Sequence, residues 1–152
     1  MFSKIFLLVC LVFLDFLTKK LVFNFIDLNN FISIYSFFDL AHIHNYGISF
    51  GLFSNTLPSY LFVIIGTFLT FFIFYMYLKS NQSFEKWGFM IIISGALSNL
   101  SDRLFNGFVL DFLYFHYKDF YWPAFNFADI YISIGIFIIL LQFFKDWYRR
   151  LK

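Results

Sequence analysis

The chain has 152 residues, of which 61% are hydrophobic, 27% aromatic and only 13% charged, and its mean hydropathy is +0.77. Soluble domains carry about 25% charged residues, so the composition excludes a water-soluble globule and calls for a single integral membrane domain over residues 1–152. A net charge of +2 offers no footprint for nucleic acid, and one cysteine, Cys10, rules out an intrachain disulfide or a cysteine-based metal cluster.

A membrane-spanning helix needs about 20 mostly apolar residues. The first such segment is 4–20, short and interrupted by Asp15. Leu7-Leu8-Val9-Cys10 has the look of a lipoprotein cleavage box. Val9, however, is too large for a position where Gly, Ala or Ser is usual. Asp15 and the Lys19-Lys20 pair likewise fail to make a signal-peptide cleavage site, so a retained helix with a lipid-facing cysteine is expected. Residues 21–56 are too polar to span and too apolar for a free loop. Ile32, Ile34 and Phe50 fit short strands, and Asn45-Tyr46-Gly47 reads as a turn. The second span, 57–78, carries no charge at all, with Pro58 in a first turn that tolerates it. The third, 87–105, bears Asp102 and Arg103 at its far end. An aromatic-rich loop over 106–124 suits the interfacial belt. The fourth span, 125–144, has Asp129 one turn inside its start. The expected fold is a mainly α membrane protein: four transmembrane helices and a small extracytoplasmic β-rich platform between helices 1 and 2.

Basic residues orient the spans. Placing both termini in the cytoplasm puts Lys4, Lys79, Lys86, Lys145, Arg149, Arg150 and Lys152 inside and leaves Lys19, Lys20, Arg103 and Lys118 outside. Asp15, Asp102, Asp111 and Asp129 then all fall toward the outer half of the membrane. A carboxylate at membrane depth costs roughly 2.5–3.5 kcal/mol on the cheapest scale, so these acids have work to do.

Asp15 and Lys19 stand in the favourable i, i+4 order for a helical ion pair. Asn99, Asp102 and Arg103 share one helix face that Gly95 extends, a polar stripe that must look into the bundle. Asp111, among Gly107, Val109, Leu110 and Phe112, has a carboxyl that desolvation should keep protonated. Asp129 follows Asn126, which lies three residues back and within reach to donate a hydrogen bond. Two such carboxyls brought together share a proton: the ionised one draws a proton from water while the protonated one polarises a scissile carbonyl. Proton relay and ion coordination are rival uses of the same acids, although a relay would spread them through the membrane depth. His42 and His44 face one side of a strand and can join a metal site, but surface polar positions on the platform are the simpler reading. HExxH and phosphate-loop motifs are absent.

Five blocks in order resemble the lipoprotein signal peptidases, the bacterial signal peptidase II family. They are Asp15-Phe16-Leu17-Thr18-Lys19; His44-Asn45-Tyr46-Gly47-Ile48-Ser49-Phe50; Gly95 through Leu104; Gly107-Phe108-Val109-Leu110-Asp111-Phe112; and Phe125-Asn126-Phe127-Ala128-Asp129. The resemblance implies an aspartyl endopeptidase of the inner membrane, without cofactor or metal and acting as a monomer. It removes signal peptides from diacylglyceryl-modified prolipoproteins just before the lipidated cysteine. It implies Asp111 and Asp129 as the catalytic dyad, with Asp15, Lys19, Asn45, Gly47, Asn99, Asp102, Arg103, Asn126 and Ala128 lining or supporting the site where globomycin-type inhibitors act. Asp15 and Asp102 each have a basic neighbour, Lys19 and Arg103, and read as supports. Ile48 and Ser49 stand where small residues are common, and Ser98 and Ser101 where Gly and Ile are common.

Overall fold

The computed structural model describes residues 2–47 and 58–152. The strand expected at Phe50, the Ile48-Ser49 pair and the start of the second span at Leu57 lie outside the described residues. The element order is α1 (Phe2–Phe25), β1 (Phe31–Tyr35), β2 (Phe38–Asn45), α2 (Ser59–Lys79), α3 (Ser83–Asn106), β3 (Val109–Tyr117), β4 (Phe120–Tyr121) and α4 (Phe127–Arg150). The chain is therefore mainly helical with one small antiparallel sheet. α1 runs past the expected end near Lys20 and includes Leu21 to Phe25, because Lys19 finds buried partners and no longer needs water.

The sheet has the order β1-β2-β3-β4, with each neighbouring pair antiparallel. It corrects the expectation of a platform built between the first two helices. Half of it comes from the segment between α3 and α4, which reads in sequence as an aromatic loop. β3 hides because Val109 to Leu113 are all buried, so no polar–apolar alternation marks the strand. Its partner is also remote: Asp111 lies opposite Ile43, Leu110 opposite His44 and Val109 opposite Asn45.

α3 is the central helix and packs against α4, α2 and α1. Close approach to α4 needs glycine. A Cβ on Gly88 would lie 2.9 Å from the Gly135 carbonyl oxygen, and one on Gly95 would collide with the Ala128 carbonyl. α3 ends at Gly107, whose φ of +81° is left-handed and whose N–H bonds the Arg103 carbonyl. The turn delivers the chain directly into β3. Val22 and Ile26 near the end of α1 pack with Leu110, Phe112 and Leu113 of β3, with Phe125 and Phe127 at the start of α4 beside them. The sheet is thus clamped where α1 and α3 end and α4 begins.

The helix flanks are apolar and open: Phe6 is 66% exposed, Phe68 71% and Phe137 60%. Such surfaces suit hydrocarbon rather than water. Among the described helices, α2 and α4 are long and apolar enough to cross a membrane.

Candidate active site

Asp111 reaches the site from near the start of β3 and Asp129 from the first turn of α4. Asn126 joins them. It is the N-cap of α4 and completes a capping box: its side-chain oxygen accepts from the Asp129 N–H at 3.1 Å, and its own N–H donates to Asp129 Oδ2 at 3.2 Å. Its side-chain Nδ2 is left free to donate to Asp111 Oδ1 at 2.6 Å. The expected donation from Asn126 to Asp129 therefore comes from the backbone, and the amide side chain serves the other aspartate.

The second oxygen of Asp111 accepts from Asn45 Nδ2 at 2.9 Å. Asn45, at the end of β2, is oriented by the Gly47 N–H, which donates to its Oδ1 at 3.0 Å. This Asx turn is the one expected from Asn45-Tyr46-Gly47. Asp111 is only 3% exposed. Burial, and then the nearby Asp129 carboxylate, push its carboxyl up to about 7.

Asp129 Oδ1 accepts from Asn99 Nδ2 at 2.9 Å, and Asn99 Oδ1 accepts from Lys19 Nζ at 3.1 Å. Lys19 thereby settles which end of the Asn99 amide faces Asp129. The same ammonium pairs with Asp15 Oδ2 at 2.7 Å and Asp102 Oδ2 at 2.8 Å. The Asp15–Lys19 pair is the one its spacing suggests. Asp102, in contrast, does not pair with Arg103. Adjacent helix residues point about 100° apart, and Asp102 turns to Lys19 on α1 while Arg103 turns toward the sheet. Arg103 donates through Nη2 to the Gly47 carbonyl at 2.6 Å and through Nη1 to the Asn99 carbonyl at 3.3 Å. It ties α3 to the turn that follows β2.

Asp15 has a second role that its sequence neighbours do not reveal. Its Oδ1 accepts from the Ala128 N–H at 3.0 Å, placing a buried carboxylate at the N-terminus of α4, where the helix dipole and free N–H groups favour negative charge. Ala128 itself is fully buried, pressed by its carbonyl against the Gly95 face of α3.

Asp111, Asp129, Asn45, Asn99 and Arg103 all line one cavity of about 350 Å³. The rest of its wall is mostly apolar and comes mainly from α2, α3 and α4, with Phe62, Leu69, Ile92, Ile132 and Ile136 among the lining residues. Sequence reasoning did not single these out, because each also reads as ordinary membrane-helix filler. Asp15, Lys19, Asp102, Asn126 and Ala128 stand behind the polar end and hold it.

His42 and His44 do share one side of β2, but His42 is not a surface residue: it is 4% exposed. Its Nδ1 lies 2.6 Å from the Ile26 carbonyl oxygen and its Nε2 lies 3.0 Å from His44 Nε2. The Ile26 carbonyl can only accept, so His42 donates from Nδ1, while its Nε2 is taken up by His44 Nε2. His42 has no nitrogen left for a metal. Burial, and then His42, hold the His44 imidazole below its ordinary range, and its ring stacks on Phe108 at 3.5 Å. Among the described residues no group of three or more His, Cys, Asp or Glu side chains is placed to hold a metal ion.

A family model described as Signal peptidase (SPase) II matches residues 7–145. The chain is 39% identical to the lipoprotein signal peptidase of Thermodesulfovibrio yellowstonii over 132 residues, covering 87% of this chain and 88% of that one. It is 38% identical to the lipoprotein signal peptidase of Wigglesworthia glossinidia brevipalpis, covering 88% of this chain and 89% of the relative. It is 32% identical to that of Haemophilus influenzae strain Rd, covering 91% and 84%. Two solved structures described as bacterial membrane enzymes share the fold. One has a TM-score of 0.86 at 26% identity over 96% of this chain and 90% of its own. The other has a TM-score of 0.84 at 25% identity over 96% and 95%.

Proposed function

The chain belongs to the signal peptidase II family of aspartic peptidases, and we propose that Asp111 and Asp129 are the dyad with which it cleaves signal peptides from prolipoproteins. The scissile bond is the one just before a diacylglyceryl-modified cysteine. The observation that carries this reading is Asn126, which bonds both aspartates at the polar end of a largely apolar cavity.

The chemistry follows from one shared proton. In this scheme Asp111 holds the proton and donates to the scissile carbonyl oxygen. Asp129, at the positive end of α4, takes a proton from water, and the resulting hydroxide adds to the carbonyl carbon. The tetrahedral diol then collapses: the C–N bond breaks, the proton on Asp129 passes to the departing amine, and Asp111 recovers its own. Arg103 and Asn99 are cavity-lining donors for the substrate backbone, and the apolar wall receives the hydrocarbon of signal helix and lipid. No residue in this scheme calls for a metal or cofactor.

All four helices are spans in this reading, with α1 and α3 carrying their charges inward or at their ends. Both termini lie in the cytoplasm, and the sheet and dyad face the outer side of the inner membrane. The enzyme works as one single-domain monomer, and globomycin-type peptides compete for the same cleft.

The test is a gel-shift assay on a lipidated prolipoprotein with Asp111→Asn and Asp129→Asn made separately. Each should abolish cleavage while the protein stays folded in detergent. Near wild-type turnover in either variant would overturn the dyad.

A further inference from the structure

A second groove lies between α1 and α3, on the side of α3 away from the active-site cavity. It has a volume of about 380 Å³. Val12, Phe13, Phe16 and Leu97 make its apolar wall, and Ser98 and Ser101 its floor, with Asp15 and Asp102 at one end. Phe13 is 61% exposed and Phe16 56%, so the groove opens onto the apolar flank of the bundle.

Ser98 marks the groove as more than a packing defect. Hydroxyls in these helices normally donate to a carbonyl one turn back, as Thr18, Thr70, Ser94 and Ser133 do to Leu14, Gly66, Met90 and Asp129. Ser98 does not. It is 4% exposed, its Oγ is buried without a hydrogen-bond partner, and it lines the groove. A buried hydroxyl with no partner is unfavourable, so an acceptor or donor brought by a ligand would complete it. Charge points the same way. The polar end holds two carboxylates, Asp15 and Asp102, against the single ammonium of Lys19. Arg103 is engaged elsewhere, with the Gly47 and Asn99 carbonyls. Asp15 is also held by the Ala128 N–H at the N-terminus of α4, so Asp102, the more exposed of the two, is the carboxylate beside which a cation fits.

We propose that the α1–α3 groove binds a membrane phospholipid with a primary-amine headgroup. One acyl chain lies along Val12, Phe13 and Leu97, its glycerol ester accepts from Ser98 Oγ, and the ammonium sits beside Asp102. The order of groups fits the depth. Asp102 lies one turn beyond Ser98 toward the sheet end of α3, where a headgroup belongs, and the apolar wall runs the other way. The bilayer supplies this occupant wherever the enzyme sits, and the proposal does not rest on which residues cleave the substrate. Such a lipid would back the Asp15–Lys19–Asp102 cluster, which holds Asn99 and the start of α4.

The experiment uses the full chain in phosphatidylcholine vesicles without prolipoprotein. The vesicles are doped with phosphatidylethanolamine or phosphatidylglycerol carrying a diazirine in one acyl chain, and photo-crosslinks are mapped by mass spectrometry. Phosphatidylethanolamine should label residues 8–16 and 97–102 above the other exposed helix faces, and above phosphatidylglycerol. Ser101→Phe, which fills the floor, should remove that excess. Ser98→Ala, which leaves the groove open, should reduce it about fivefold, the worth of one hydrogen bond. Label spread evenly over the exposed helices, equal labelling by the two lipids, labelling that needs prolipoprotein, or crosslinks to a second copy of the chain would each overturn the proposal. The wild-type comparison of the two lipids decides the matter even if a variant fails to fold.

Discussion

The side-chain amide of Asn126 donates to Asp111 at 2.6 Å from a residue whose other polar groups are all committed to capping α4. One residue thus sets the start of a helix and the position of a carboxyl on a distant strand. Asn126→Ala should cost about 1 kcal/mol through the lost cap. It should cost far more in turnover, on the order of 10²-fold, because small displacements of reacting groups weigh heavily on rate. Thermal unfolding in detergent beside initial cleavage rates separates the two. Equal losses in both would make Asn126 a structural cap only.

Asp111 gives the pH dependence its sign. Its carboxyl is raised from an ordinary 3.8 to about 7. Below 3.8 the group is protonated in both folded and unfolded chains. As pH rises from there the unfolded chain ionises first, so folded-state stability declines until about 7, where the folded carboxyl ionises too. Cleavage that needs the proton on Asp111 should fall on the alkaline side of the same value. Asp111→Asn should remove this stability slope, and an unchanged slope in that variant would assign the raised group elsewhere.

Lys19 is the single cation between buried Asp15 and partly buried Asp102, and its own side chain is almost wholly enclosed. Lys19→Met leaves Asp15 and Asp102 facing each other and should destabilise the protein by about 3–5 kcal/mol. Adding Asp102→Asn to that variant should recover part of the loss, since one of the two stranded charges goes. Additive losses in the double variant, read by thermal unfolding, would show that the three groups do not act as a cluster.

Glycines separate packing from positioning. Gly95→Ala and Gly88→Ala each press a methyl onto α4, and each should cost about 1–3 kcal/mol. Only Gly95 pushes on Ala128, next to Asp129. Its variant should lose turnover per folded molecule, whereas Gly88→Ala, facing Gly135, should keep it. Rates normalised to the folded fraction provide the comparison.

A chelator should leave cleavage unchanged. His42 spends both nitrogens on Ile26 and His44, and the scheme built on Asp111 and Asp129 needs no Lewis acid. Loss of activity with EDTA and its return with added zinc would replace the proposed dyad with a metal mechanism.

Much was legible in the chain because membranes limit what a sequence can hide. Long apolar runs mark helices, and an acid inside one stands out against its cost. The i, i+4 spacing alone implied the Asp15–Lys19 pair, and Asn45-Tyr46-Gly47 announced its turn. Neighbours in sequence misled at Asp102 and Arg103, because adjacent helix residues diverge and each found its partner on another element. β3 was illegible because strand periodicity vanishes when both faces are buried and the partner strand is far away in the chain.

The sequence by itself determined that this protein lives in apolar surroundings, that its structure is mainly helical, and which few polar residues carry a cost that only function or pairing can offset. Tertiary structure alone decided who meets whom. Asp15 caps α4 at Ala128, Lys19 orients Asn99 toward Asp129, and Asn126 and Asn45 take the two oxygens of Asp111. The physical reason is that buried hydrogen bonds are short and directional. Spacing along one helix can place two groups on a face, but only the packing of α1, α3, α4 and the sheet brings donors and acceptors from four elements within 3 Å or so of one another.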